Sequence, residues 1–240
     1  MTKNGIDVSR WQGSINWKSV KDSGIEFAII KLGGADQGFY KDSCFEQNYK
    51  NAKAAGVPVG AYFYSVAKSG DEARKEAAWF INNLKDKQFE YPVYMDVEES
   101  SVLALGKDKV SDIIVSFLNE MEKAGYFAGL YMSASPLTTH TTQFIKDRYA
   151  IWVANYGVSK PSYKGKYGMW QKSSSGKVNG ISGNVDLNEC YIDYPHEIKQ
   201  GGKNGFSKTE PTPTQPNLKT IKAELTVDGV KYGGTLAEIK

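Results

Sequence analysis

The stretch YPVYMDVEES (91–100) sets a run that reads as a buried β-strand directly before three acidic residues. Side chains of a strand alternate between its two faces, so Asp96 and Glu98 share the face of Tyr94, while Met95 and Val97 point to the other. Two carboxyl groups crowded into a partly desolvated place tend to keep one protonated and the other ionised, which is what general acid chemistry needs at neutral pH. An isolated D-x-E is better explained by a solvated strand end. The rest of the chain has to decide.

Acidic residues recur where other strand-like runs end. Asp7 lies in GIDVSRWQG and Asp186 in GNVDLN, late in the chain. In parallel α/β folds the carboxyl ends of the strands surround a single mouth, and acids from three of them would meet there. The surroundings are aromatic: Trp11, Tyr62 and Tyr64 on one face of their strand, Tyr131, Trp152, Tyr156 and Trp170. Flat rings beside carboxylates suit sugars, whose C–H faces stack and whose hydroxyls take hydrogen bonds. At least two of these rings are expected in the core instead, together with Phe63 and Phe80.

Other chemistries find less support. His140 and His196 are the only histidines, and neither stands in a metal-ligand or triad pattern. Gly33-Gly34 belongs to no phosphate-binding loop, and nucleophile-elbow motifs are absent. Cys44 and Cys190 lack the spacing of a zinc site or a disulfide framework, and one bridge between them is left open. Glycoside hydrolysis needs carboxyl groups and little else, so no metal and no cofactor is expected.

Positioning such a site takes a fold, and 240 residues with 40% hydrophobic and 24% charged can bury a sizeable core. The net charge of +3 comes without a basic block, which disfavours nucleic acid as a partner. No apolar run approaches the ~18 residues of a membrane span, and MTKNGIDVSRWQG has no apolar signal core, so synthesis as a soluble protein is expected.

Periodicity places strands over 5–9, 26–33, 57–66, 91–99 and 126–133, with helices between them. One helix opens with Ser69-Gly70-Asp71-Glu72, read as a capping box, and lines up Ala73, Ala77, Phe80, Ile81 and Leu84. The next carries Val110, Ile113, Ile114, Phe117, Leu118 and Met121 on one face and stops near Gly125. Alternating strands and helices predict an α/β fold on a parallel sheet, open or closed as a barrel. Beyond 150 only short strands occur (150–156, 167–171 and 185–191), and a regular barrel needs about 250 residues, so a curtailed barrel is expected. The expected division is a catalytic barrel over 1–199, a Gly/Pro-rich linker over 200–216, and a β-hairpin tail over 217–240 turning at Asp228-Gly229. A hairpin below about 40 residues rarely folds unaided, so the tail would dock on the barrel, self-associate, or begin a truncated module.

GIDVSRWQG, GAYFYS, YMDVE, IWVANY and MWQKSSSGKVNGISGNVDLN, in that order across residues 4–192, resemble the glycoside hydrolase family 25 lysozymes. These are Chalaropsis-type N-acetylmuramidases, many of them phage endolysins. The resemblance implies an irregular TIM-like β/α barrel that cleaves the β-1,4 bond from N-acetylmuramic acid to N-acetylglucosamine in bacterial peptidoglycan. It implies Glu98 as proton donor, Asp96 beside it, Asp7 and Asp186 as further active-site acids, and Tyr62 as the aromatic at the third strand end. Because the substrate carries N-acetyl groups, net retention with the acetamido oxygen as nucleophile is favoured, while direct water attack stays open. Lys172 departs from the family pattern, which puts one stacking contact in doubt. A phage lysin made in the host cytoplasm without a signal peptide, acting on the wall after release, fits these features. The competing readings are a wall-binding protein without turnover and a self-association module in the tail.

Overall fold

The computed structural model describes residues 2–208 and 221–236. The chain begins with β1 (Lys3–Val8), a short helix α1 (Trp17–Asp22), β2 (Phe27–Gly34), β3 (Tyr40–Lys41) and α2 (Phe45–Ala54). Then come β4 (Val59–Tyr64), α3 (Gly70–Leu84), β5 (Val93–Asp96), α4 (Ser100–Leu103), α5 (Lys107–Lys123) and β6 (Ala128–Ser133). The last part of the barrel unit holds α6 (Ala134–Thr139), α7 (Gln143–Arg148), β7 (Ala150–Ala154), β8 (Met169–Gly176), β9 (Val185–Cys190) and α8 (Tyr194–Gly201).

Eight of these strands close on themselves in the order β1-β9-β8-β7-β6-β5-β4-β2, with β1 pairing back to β2 and β3 added at the edge of β2. Neighbours from β1 through β2, β4, β5, β6 and β7 to β8 are parallel. The last strand departs from the expected parallel sheet, because β9 is antiparallel to both β8 and β1. No helix intervenes between β7 and β8 or between β8 and β9 among the described residues, which is how the barrel is curtailed.

Strand alternation divides the apolar residues into two layers. Ala28, Ile30, Leu32, Phe63, Met95, Val97, Leu130, Ile151 and Val153 face outward and pack with the helices. Phe27, Ile29, Tyr94, Tyr131, Trp152, Met169 and Cys190 face inward and fill the barrel. A parallel sheet covered on both faces reads as continuous apolar runs, and FAII is one. The α5 face is buried as expected at Val110, Ile113, Ile114, Phe117, Leu118 and Met121. On α3, Ala73, Ala77, Phe80 and Leu84 are buried and Ile81 is half-buried. Ser69 caps α3 by accepting from the Glu72 amide, but the Glu72 carboxylate reaches one residue further back, to the Lys68 amide at 2.8 Å, so the box is not reciprocal. Cys44 and Cys190 are both free.

The barrel unit runs to Lys208, past the expected boundary at 199. The reason is physical: Tyr194 and Ile198 of α8 join the inner aromatic cluster at its base, with Tyr194 edge-on to Tyr91 and Phe127. Asn204 then fastens the segment beyond α8. Fully buried, it donates to the Phe89 and Tyr91 carbonyls at 3.1 and 2.8 Å and accepts from the Phe127 amide at 2.7 Å. Residues 200–208, assigned to a linker by composition, are therefore part of the barrel unit. The rest of the expected linker, 209–216, lies outside the described residues.

The second unit contains an antiparallel hairpin, β10 (Ile221–Val227) and β11 (Val230–Leu236), with Val227 opposite Val230. Asp228 and Gly229 both take positive φ, 49° and 81°, the conformation that makes Asp-Gly a two-residue hairpin turn. Residues 217–220 and 237–240 of the expected tail lie outside the described residues.

Candidate active site

The carboxyl ends of the parallel strands open onto a cavity of about 170 Å³. Its lining includes all four acids singled out by the sequence, Asp7, Asp96, Glu98 and Asp186. Asp7 comes from β1 and Asp96 from the last position of β5, while Glu98 stands just beyond that strand. Asp186 is the second residue of β9, not a strand end. It reaches the same mouth because β9 runs in reverse, which puts Asp186 directly across from Asp7.

Asp7 is the most supported of the four. It is buried, and its Oδ2 accepts from the side-chain amides of Gln171 at 2.8 Å and Asn188 at 2.7 Å. Each amide is itself held. The Tyr131 and Tyr156 hydroxyls donate to Gln171 Oε1 at 2.7 and 2.5 Å, and the Trp152 indole donates to Asn188 Oδ1 at 2.8 Å. Asp96 is buried but less satisfied, since its Oδ1 finds no hydrogen-bond partner among the described residues.

Burial in this cavity dominates the electrostatics. It raises Asp7, with Asp186 adding to the rise and the two amides opposing it. It raises Asp96, with the Glu98 charge adding and Lys31 opposing. Asp186 is pushed up to about 6 by burial and by Glu98, while a hydrogen bond with Asp7 pulls it down. Glu98 as a residue is exposed at the rim, yet its carboxyl faces the cavity, where loss of solvent raises it; Lys31 opposes that rise and Glu99 adds to it. Burial, not a neighbouring anion, is thus the main cause of the rise at Glu98.

The aromatic candidates take four different places. Tyr62, Tyr131 and Trp152 line the cavity, joined by Tyr156. Trp152 is the floor, edge-on to Tyr131 at 4.5 Å and to Tyr62 at 6.1 Å. Trp170 does not line it. One residue out of phase with inward Met169 and Gln171, it packs in the outer core and donates to the Asn155 carbonyl at 2.9 Å. Tyr64 also stands outside the lining, its hydroxyl donating to Glu99 at 3.3 Å. Trp11 is 78% exposed on a short 3-10 turn (Arg10–Gln12) capped by Ser9 and is not part of the cavity lining. Lys172, the departure from the family pattern, is paired with Glu189 at 2.7 Å.

Three residues of the site were missed in the sequence. Gln171 and Asn188 lie inside the motif MWQKSSSGKVNGISGNVDLN but carry no charge, and nothing in it singles them out. Lys31, whose Nζ lies 4.9 Å from the Tyr64 ring centre and 5.7 Å from that of Tyr62, reads as one polar residue in an apolar strand. A lysine facing inward at the mouth end of a covered strand is the one hint that could have found it.

Comparison with known proteins agrees with this geometry. The signature of "Glycosyl hydrolases family 25" matches residues 6–181. An autolytic lysozyme of Clostridium acetobutylicum is 32% identical over 98% of this chain and 71% of its own length. Lysozyme M1 of Streptomyces globisporus is 35% identical over 77% of this chain and 66% of its own length. Among solved structures, a bacterial lysozyme from Streptomyces coelicolor superposes with a TM-score of 0.69 at 33% identity, over 79% of this chain and 92% of that one. The CTP1L endolysin superposes with a TM-score of 0.73 at 30% identity, over 82% of this chain and 69% of that one. With the carboxyl cluster, the distorted barrel and these likenesses together, the chain belongs to glycosyl hydrolase family 25 and is a glycoside hydrolase of lysozyme type.

Proposed function

We propose that this chain hydrolyses the β-1,4 bond between N-acetylmuramic acid and N-acetylglucosamine in bacterial peptidoglycan, with Glu98 as general acid. The observation that carries this reading is the contrast between two carboxyls two residues apart. Glu98 stands at the rim with its affinity for a proton raised. Asp96 lies beneath it with an oxygen that no donor of the described residues reaches.

A buried acceptor without a donor costs on the order of 1–3 kcal/mol until something supplies one. The N–H of the sugar's acetamido group would do so, and that contact turns the acetamido oxygen toward the anomeric carbon. Protonated Glu98 gives its proton to the leaving oxygen as the glycosidic bond breaks, and the acetamido oxygen bonds to the anomeric carbon in its place. Water then attacks that carbon, returns a proton to Glu98 and restores the acetamido group. Two inversions give net retention. Asp7 and Asp186 supply negative charge around the oxocarbenium-like centre, and the Gln171–Asn188 pair keeps Asp7 in place.

Release of reducing ends from purified peptidoglycan, with mass spectrometry of the fragments, tests the reading. Muramic acid at the new ends, and a loss on the order of 10² to 10⁴ in rate for Glu98→Gln, is the expected result. Binding without release by the wild type would favour a wall-binding role and overturn it.

A further inference from the structure

Beside the cavity, two cations and four aromatic rings alternate along one wall. The Arg10 guanidinium carbon lies 5.2 Å from the Trp11 ring centre and 5.7 Å from that of Tyr40. Lys31 Nζ lies 5.9 Å from the same Tyr40 ring, 5.7 Å from Tyr62 and 4.9 Å from Tyr64. Tyr40 is thus shared by both cations, and Tyr62 connects the row to the cavity it lines. At the outer end Trp11 is 78% exposed, and next to Tyr40 the Phe39 ring, 49% exposed, stacks on Trp79.

The position of Arg10 is built in. Its amide donates to Oδ2 of buried Asp42 at 3.0 Å, while Oδ1 of the same carboxylate takes the Cys44 amide at 2.9 Å. The nearby acid Asp36 is engaged by the Tyr40 hydroxyl. Neither Arg10 nor Lys31 forms an ion pair among the described residues. Rings hold a cation in place through their negative faces without neutralising it, so Arg10 keeps its charge available for a ligand, while the charge of Lys31 is shared with Asp96 and Glu98.

This matters because the cavity is lined by four carboxyl groups and repels anions. Arg10 and Lys31 on this wall carry the opposite sign. A glycan containing muramic acid has a carboxylic acid attached to alternate sugars, either free or extended by a peptide with carboxylates of its own. Such a substituent is driven from the acidic cavity and attracted along the wall. We propose that the row Lys31–Tyr40–Arg10–Trp11 is a recognition subsite for carboxylate-bearing substituents of the glycan. It rests on the function proposed above and goes beyond it, since it sets the side of the mouth over which the substituent leaves and hence the direction in which the chain lies.

Equilibrium binding of soluble glycan fragments to Glu98→Gln protein, which does not consume them, tests the subsite. Three fragment pools are needed: with peptide stems, stripped of stems by an amidase so that only the sugar-linked acid is free, and with all carboxyls converted to amides. Adding Arg10→Gln is expected to weaken binding about two- to fivefold on pools with free carboxylates, as for a partly exposed ion pair, and to leave the amidated pool unchanged. Arg10→Lys should keep most of the preference, and salt should reduce it. Loss on the stem-bearing pool alone identifies the peptide as ligand, and loss on the stripped pool identifies the sugar-linked acid. Equal loss on all three pools, or none on any, overturns the proposal. Failure of the wild type to release reducing ends would instead count against the function, and the two results are read separately.

Discussion

Asp7 and Asp186 face each other directly across the antiparallel pair β1–β9, the two strands that bring the beginning and the end of the barrel together. Closing the barrel with a reversed strand puts a second acid at the mouth from a strand start. It also makes the two acids a local pair, each shifting the proton affinity of the other.

That pairing extends to Glu98, whose charge is among the causes that push Asp186 up to about 6. Electrostatic coupling is reciprocal. Removing the Asp186 charge makes ionisation of Glu98 easier, so the acid form is lost at a lower pH. Asp186→Asn should therefore move the alkaline limb of the kcat/KM profile toward acid. The pH dependence of kcat/KM for both proteins decides it, and superimposable limbs would separate Asp186 from Glu98.

The unpartnered oxygen of Asp96 leads to a test of its own. The protonated, thiazolinium form of a thiazoline analogue of the cyclised acetamido sugar offers that oxygen an N–H donor. Wild type should bind it at least about tenfold more tightly than Asp96→Asn, on the scale of a hydrogen bond to a charged group. The first-formed product anomer, followed by NMR, should retain the β configuration; inversion would shift the role of Asp96 to activating water.

Glu76 offers a titration away from the site. Buried on α3, it accepts from the Ser65 hydroxyl at 2.5 Å and the Val66 amide at 3.1 Å, and burial pushes it up to about 7. A carboxyl raised in the folded state binds its proton more tightly there than in the unfolded chain, so stability falls as pH rises from about 4.5 to about 7 and then levels. The full effect is about 3 kcal/mol. Urea unfolding across this range should show a shallower decline for Glu76→Gln, and parallel curves would mean that Glu76 stays ionised throughout.

Asn204 fixes the boundary of the barrel unit. Removing its side chain leaves two carbonyls and one amide without partners, so Asn204→Ala should lose about 2–4 kcal/mol in urea unfolding. A chain ending at 208 should unfold at the wild-type midpoint, whereas one ending at 199 should not. Equal midpoints for both truncations would place the boundary before α8.

How far the sequence foretold all this depends on the trace each feature leaves in the pattern of residues. The alternation in YMDVE placed Tyr94 and Asp96 inward and Met95 and Val97 outward, as found. The helical spacing of α5 and the Asp-Gly turn were equally plain, because each is a local rule with a local cause. The same alternation would have turned Trp170 outward had Met169 and Gln171 been taken as the inner face. Gln171 and Asn188 stand inside the last motif of the resemblance but their role left no trace, since a neutral amide in a strand announces nothing until its partner arrives from 164 or 181 residues away. The composition of 200–208 misled for the opposite reason: Gly and Lys surround the single Asn204 that ties the segment down.

Tyr91, Tyr194 and Ile198 fill the base of the barrel unit, which makes that unit a cup opening at the acidic mouth. A polymer cannot thread through a cup. The glycan has to lie across the lip with one sugar dipped inside, and after each cut both new ends are already outside. The barrel walls do not encircle the strand between cuts, so cleavage should be scattered along the chain, each cut a fresh encounter.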